Sequence, residues 1–209
     1  MGTLADLQAR IITETNRADL GDVLASALQQ AISDSVTDYE NERFWFNELR
    51  VLTTVQNAQE YTSLPSGYQV IDKLFIVVGG VRFELQKRSM DELERFYTVP
   101  QIGQPMVWCM YQETARVWPT PNMDYPGIWL TISDVTPALD FTQPAAITNS
   151  WTTDAAWLIC AASKVKLYRN IFRDPDGEQA ALRDLDEAYT NLKGVSDRQL
   201  SSGRMKTSW

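Results

Sequence analysis

Apolar residues recur at helical spacing in four stretches of the chain, and at strand spacing between the second and the third. Leu4, Leu7, Ile11 and Ile12 follow Thr3, which with Asp6 makes an N-terminal cap, so the pattern predicts a helix over 4–16. Asn16 to Gly21 interrupts it. From Asp22, the positions Leu24, Leu28, Ile32, Val36 and Tyr39 recur at three and four, with Ala27 and Ala31 beside them, and predict a second helix running to about 43–47. That stripe leads into Phe44, Trp45 and Phe46. On a helix, three successive positions sweep about 200° of the cylinder, and on a strand the middle one points away from the other two. One flat partner surface therefore cannot bury all three.

After Arg50 the pattern changes to β-branched and aromatic residues punctuated by Pro65-Ser66-Gly67 and Gly79-Gly80. Leu74–Val78 and Val81–Leu85 flank the glycine pair, whose freedom to adopt positive φ suits a tight hairpin turn. A short capped helix is expected from Ser89 to about Tyr97, and further strands at 105–111, 115–118 and 127–134. Helical spacing returns with Trp157, Leu158, Ala161, Val165 and Tyr168. A turn at Arg173–Glu178 then leads to Ala181, Leu182, Leu185, Ala188, Tyr189 and Leu192. Gly194 is expected to end this last helix, leaving a polar arm.

The order predicts an α+β, mainly helical protein: a four-helix bundle from 1–49 and 150–193, a β-rich insertion at 50–149 between helix 2 and the C-terminal helix pair, and an extended C-terminal arm at 194–209.

Composition narrows the chemistry. The 209 residues contain no histidine, which removes Ser-His-Asp and Cys-His nucleophilic machinery and His-based metal sites. No cofactor or metal is expected. Cys109 and Cys160 lie in apolar runs and are expected as buried thiols of a reducing compartment. The first residues lack a basic segment followed by a continuous apolar run, and no membrane span is expected, so the chain is expected as soluble and not exported. The net charge of −8 is concentrated in residues 1–48, where nine acids face three bases. Such a surface does not hold nucleic acid tightly. The last fifteen residues are by contrast basic, with Arg198, Arg204 and Lys206 against Asp197.

Several of these features carry a resemblance. They are Asn16-Arg17 with Asp19-Leu20, Ala31-Ile32 at the centre of helix 2, Arg43 to Glu48 (RFWFNE), and a Thr53-Thr54 strand followed by Tyr61 and Leu64-Pro65. In this wording, clearest over residues 4–75, the chain resembles the head-to-tail adaptor proteins of tailed bacteriophages, particularly those of short-tailed phages. The resemblance implies a structural virion protein at the portal vertex, assembled in the host cytoplasm. It would form a homo-oligomeric, commonly dodecameric ring beneath the portal protein ring, extend the DNA channel, and offer a platform to tail and nozzle proteins. Double-stranded DNA would pass through without tight binding. On this reading Phe44, Trp45 and Phe46 are candidates for a subunit interface. Arg198, Arg204, Lys206 and Trp209 are candidates for a portal-binding arm, and Asp22, Asp34 and Asp38 for acids facing the channel.

Two rival readings follow from particular residues. Glu42 or Glu48 beside the aromatic triplet fits a carboxylate in an apolar setting, as a peptidoglycan hydrolase needs. Trp108, Trp118 and Trp129 would serve a carbohydrate-binding module as stacking rings. Asp174-Pro-Asp-Gly resembles part of a calcium loop but lacks the later ligands, and is read as a helix-joining turn.

Overall fold

A computed structural model describes residues 2–16, 21–96, 99–133 and 139–202. The chain divides into two compact units, one from 1–46 with 135–209 and the other from 47–134.

The first unit is helical. α1 (Leu4–Thr15) opens with the expected capping box, in which Thr3 and Asp6 exchange side-chain to backbone hydrogen bonds. Backbone N–H groups of Thr3 and Gly2 hold the Asp6 carboxyl below its ordinary range. α2 (Gly21–Tyr39) buries Leu24, Leu28, Ile32 and Val36, as their spacing requires. It stops at Tyr39, short of the expected 43–47, because the aromatic triplet is needed off-axis. Phe44 turns fully into the core, which a continuing helix would not allow for all three rings.

α4 (Ser150–Thr153) and α5 (Ala156–Leu167) follow the return from the β unit. The residues leading into them lie against α1, whose Leu4 and Ala5 N–H groups donate to the carbonyls of Ile147 and Pro144. α5 is buried on nearly every side: Leu158, Ile159, Cys160, Ala161, Ala162, Ser163, Val165 and Leu167 are all covered. Among the described residues α1, α2 and α6 pack chiefly on α5 rather than on one another. A π-helical turn (Tyr168–Phe172) ends it, and Arg173 takes a left-handed conformation at φ 51°. Asp174 then caps α6 (Pro175–Ser202) by accepting the Asp176 and Gly177 N–H groups, with Pro175 at the first helical position. Gly177 is required there, because a Cβ would lie 2.6 Å from the Tyr168 ring. The helix-joining reading of Asp174–Gly177 is thus what the geometry shows.

The second unit is a sheet with its own core. Seven strands run in the order β1 (Glu48–Val55), β9 (Tyr125–Ser133), β3 (Tyr68–Val78), β4 (Val81–Lys87), β6 (Val107–Tyr111), β7 (Thr114–Trp118) and β2 (Tyr61–Ser63). β3 and β4 form the expected hairpin, with Gly79 and Gly80 at φ 57° and 83°. α3 (Met90–Phe96) joins β4 to β6, which pair in parallel. β5 (Ile102–Gly103) and β8 (Thr120–Pro121) make a separate short pair. Two register shifts on β3, between Tyr68 and Val70 and between Ile71 and Lys73, bend that long strand and help the sheet curl. Its edge strands, β1 and β2, are joined only by residues 56–60, so the sheet returns toward itself as a nearly closed barrel. Trp108 and Trp129 fill the interior with ring centroids 5.2 Å apart at 72°.

The mainly helical four-helix bundle is therefore corrected. Helices make up 45% of the chain and strands 27%, and the strands build a seven-stranded, nearly closed barrel-like sheet. The helices, in turn, surround one central member. The arm expected from Gly194 is also corrected, since α6 continues through it to Ser202. Gly194 keeps ordinary helical φ, and the buried positions Leu192 and Ser196 on either side extend the helical stripe beyond it. This burial offsets the roughly 1 kcal/mol that glycine costs relative to alanine in a helix.

One buried cation ties three helices. Lys164 on α5 donates to Glu14 of α1 and Asp184 of α6, each at 2.8 Å, and Arg10 also bonds Glu14. Burial works against the Lys164 ammonium, but the Asp184 and Glu14 hydrogen bonds outweigh it and raise its pKa. Burial likewise opposes the Glu14 carboxylate, but the bonds from Lys164 and Arg10 outweigh it and hold the carboxyl below its ordinary range. Glu14's contribution to stability is accordingly complete above the unfolded value and lost as pH falls through the lower folded one. Glu14→Gln is expected to flatten the loss of stability as pH falls below the ordinary glutamate pKa of about 4.3, read from urea midpoints through that fall. Ala161→Leu should overfill the α5 packing and cost about 1–3 kcal/mol in the same assay.

Candidate assembly surface

The aromatic triplet sits where the chain leaves the helical unit. Phe44 stacks on Phe46 with centroids 5.5 Å apart at 16°, and Trp151 of α4 meets both edge-on at 6.1 and 5.2 Å. The Lys193 ammonium lies 5.5 Å from the Phe44 centroid and donates to the Arg43 carbonyl at 3.3 Å. Three partners at different angles thus resolve the burial problem posed by the triplet. Phe44 is completely buried in its own unit and has no surface to present to a neighbour. Trp45 and Phe46 are half-buried and pack edge-on at 5.6 Å.

Trp45 forms one wall of a groove of about 360 Å³. The opposite wall is a single face of α6, made by Ala188, Asn191, Leu192, Val195 and Gln199 at helical spacing. Asp154, Ala155, Trp157 and Leu158, at the start of α5, close it. Trp157 is 37% exposed. The Trp45 indole N–H is buried without a hydrogen-bond partner, an unsatisfied donor at the groove. Sequence reasoning placed Trp157 on the core stripe and ended α6 at Gly194, and so missed this groove. The signal was available in the continuation of the 188, 192, 195, 199 spacing past the glycine.

The remaining candidates are dispersed. Asp34 and Asp38 lie one turn apart on α2; Asp34 accepts from Gln30 at 2.6 Å and Asp38 pairs with Lys166 of α5 at 2.7 Å. The Asp22 side chain lies outside the described residues. Arg198 is on α6, where its Nε donates to the Gly194 carbonyl at 3.0 Å, while Arg204, Lys206 and Trp209 lie outside the described residues. Glu42 accepts from Lys193 and from the Tyr189 hydroxyl, each at 3.4 Å, and Glu48 pairs with Arg50 at 3.4 Å. Trp108 and Trp129 are interior, and Trp118 packs on Leu93, Val107 and Cys109, so these rings form no common platform.

Both cysteines are buried and free, and burial pushes the Cys160 thiol up to about 11. Among the described residues no group of three or more Cys, Asp or Glu side chains is placed to hold a metal ion, and no helix is long and apolar enough to cross a membrane.

The sequence profile of the family described as SU10 adaptor protein matches residues 2–207, and the chain belongs to that family. It is thereby a phage adaptor, a structural component of the virion. No curated protein matches the chain.

Core and groove roles separate by mutation. Phe44→Ala should cost about 3–5 kcal/mol, as expected for a fully buried ring. Trp157→Ala, at a wall residue 37% exposed, should cost less than Phe44→Ala. Thermal and urea unfolding of the two variants would check the contrast.

Proposed function

We propose that this protein is a head-to-tail adaptor of the short-tailed-phage type, whose copies form a ring, dodecameric by resemblance, beneath the portal. The ring extends the DNA channel and carries the tail components. Family membership across nearly the whole chain is the observation that supports this reading.

The groove supplies a physical basis for contact between copies. Its exposed Trp157 and half-buried Trp45 are groups that gain from being covered by a neighbour. Phe44 is left to the core and Phe46 to its support. The basic residues Arg198, Arg204 and Lys206, with Trp209, are assigned to the portal at the carboxyl-terminal end of α6. The acids of α2 are assigned to the channel face, where negative charge lets phosphate slide past. Asp34 serves that role better than Asp38, whose charge Lys166 offsets. Catalysis by Glu42 or Glu48 is not carried forward, because both carboxylates are occupied by basic partners.

The test is to mix the purified protein with the portal ring from the same genome and image the mixture by electron microscopy. A second ring stacked coaxially on the portal is expected; free monomers beside bare portals, with both proteins folded, would reject the reading. In the same mixture, at a temperature where the variant is fully folded, Trp157→Asp should lower ring yield by about tenfold or more. Equal ring yield from this variant would remove the groove from the interface.

A further inference from the structure

The two open edges of the barrel-like sheet border one cavity. Among the described strands β1 pairs only with β9, and β2 only with β7. Thr53 and Thr54 of β1 and Tyr61, Thr62 and Ser63 of β2 line a space of about 230 Å³, closed at one end by Gln56 and Gln59. Direct pairing of β1 with β2 would seal it. The connecting turn is held away from that arrangement by three bonds. Ala58 N–H donates to the Pro121 carbonyl at 2.9 Å, Asn57 N–H to Asp124 Oδ1 at 2.7 Å, and Val117 N–H to the Glu60 carbonyl at 2.8 Å.

A long uncovered edge is a template for another strand, and proteins usually blunt it with charge or proline. β1 has neither at the seam: its charges, Glu48 and Arg50, lie at the far end, and Leu52 is 82% exposed. The lining is made of hydroxyl, amide and phenol groups, with no charged side chain. Glu60, in the connecting turn, is bonded to Arg116. Past Tyr61 the seam adjoins a second groove, where the Tyr61 and Tyr111 rings lie 5.8 Å apart with Glu113 at the rim.

We propose that this seam accepts an uncharged extended segment of a partner protein, inserted between β1 and β2 and completing both edges by strand addition. The occupant must have both of its own edges free. Among its described strands a second copy of this chain offers none, since each already has a neighbour. The carboxyl-terminal residues 203–209 carry Arg204 and Lys206, which a neutral lining does not complement. A saccharide would satisfy the hydroxyls and stack on the tyrosines, but would leave two runs of strand backbone unpaired. The proposal stands on these edges and is independent of the ring and the portal.

Main-chain bonds supply most of the affinity in strand addition, so a generic probe suffices. The full-length protein is mixed with an acetylated, amidated heptapeptide of alternating threonine and valine, and hydrogen exchange is read by mass spectrometry. Amides of 48–55 and 61–63 are expected to slow by about tenfold or more at saturation, with 107–111 unchanged. Ser63→Trp, at an exposed position filling the seam, should abolish that protection at unchanged melting temperature. If it does not fold, Thr54→Lys, also exposed, is read in the same way. No protection at saturating peptide would overturn the proposal. Equal protection by a peptide of residues 203–209 would assign the seam to the protein's own terminus, and equal protection by maltohexaose would make it a sugar site; either overturns it.

Discussion

The helical unit depends on burying α5 on nearly every side. A helix covered on one face needs one apolar stripe, but α5 must present small or apolar groups all round, and its run of Ala161, Ala162 and Ser163 does so. The small residues let α2 approach closely enough for Ser163 to reach Ser35 at 3.3 Å, and Ser35 in turn satisfies the Ala31 carbonyl. Lys164 is the one charge on this buried stretch. It is tolerable because two carboxylates from different helices neutralise it, and these same bonds set the register of α1 and α6 on α5. Polar and apolar terms therefore specify one arrangement.

The sheet meets a different constraint with different means. A seven-stranded, mostly antiparallel sheet has to hide its interior face, and two tryptophans fill it more completely than aliphatic residues would. Their indole N–H groups have no partner in that interior. The cost of two unsatisfied donors is of order 1–3 kcal/mol each, and large aromatic burial is what offsets it. Curvature follows from the bulged β3, and it brings β1 and β2 near each other without joining them.

Local elements were legible in the sequence where chemistry and period agreed. The Thr3–Asp6 cap, the α2 stripe, the glycine-pair hairpin and the Asp174–Gly177 turn all depend on residues close in the chain. What was not legible depends on distant partners. The number of strands and the curl of the sheet are set by pairings such as Thr53 with Gly127, which no local spacing reports. Reading the chain as mainly a four-helix bundle therefore underestimated that region. Gly194 misled for a related reason, since a glycine ends a helix only when the chain turns left-handed there, and here buried positions on both sides hold it helical. Of the site, the aromatic triplet was visible and its division of labour was not. Phe44 is core because Phe46, Trp151 and Lys193 surround it, and two of those three lie about a hundred residues or more away in the chain.

Both surfaces that invite a partner are built on rigid supports. The groove wall on α6 belongs to one continuous helix, α5 is buried on nearly every side, and the seam strands β1 and β2 are each paired along one edge. Binding at either place therefore orders little of this protein's own chain, which removes much of the entropy cost that association otherwise incurs. An assembly protein gains from this. Pre-formed grooves and edges let modest areas hold where flexible ones would not.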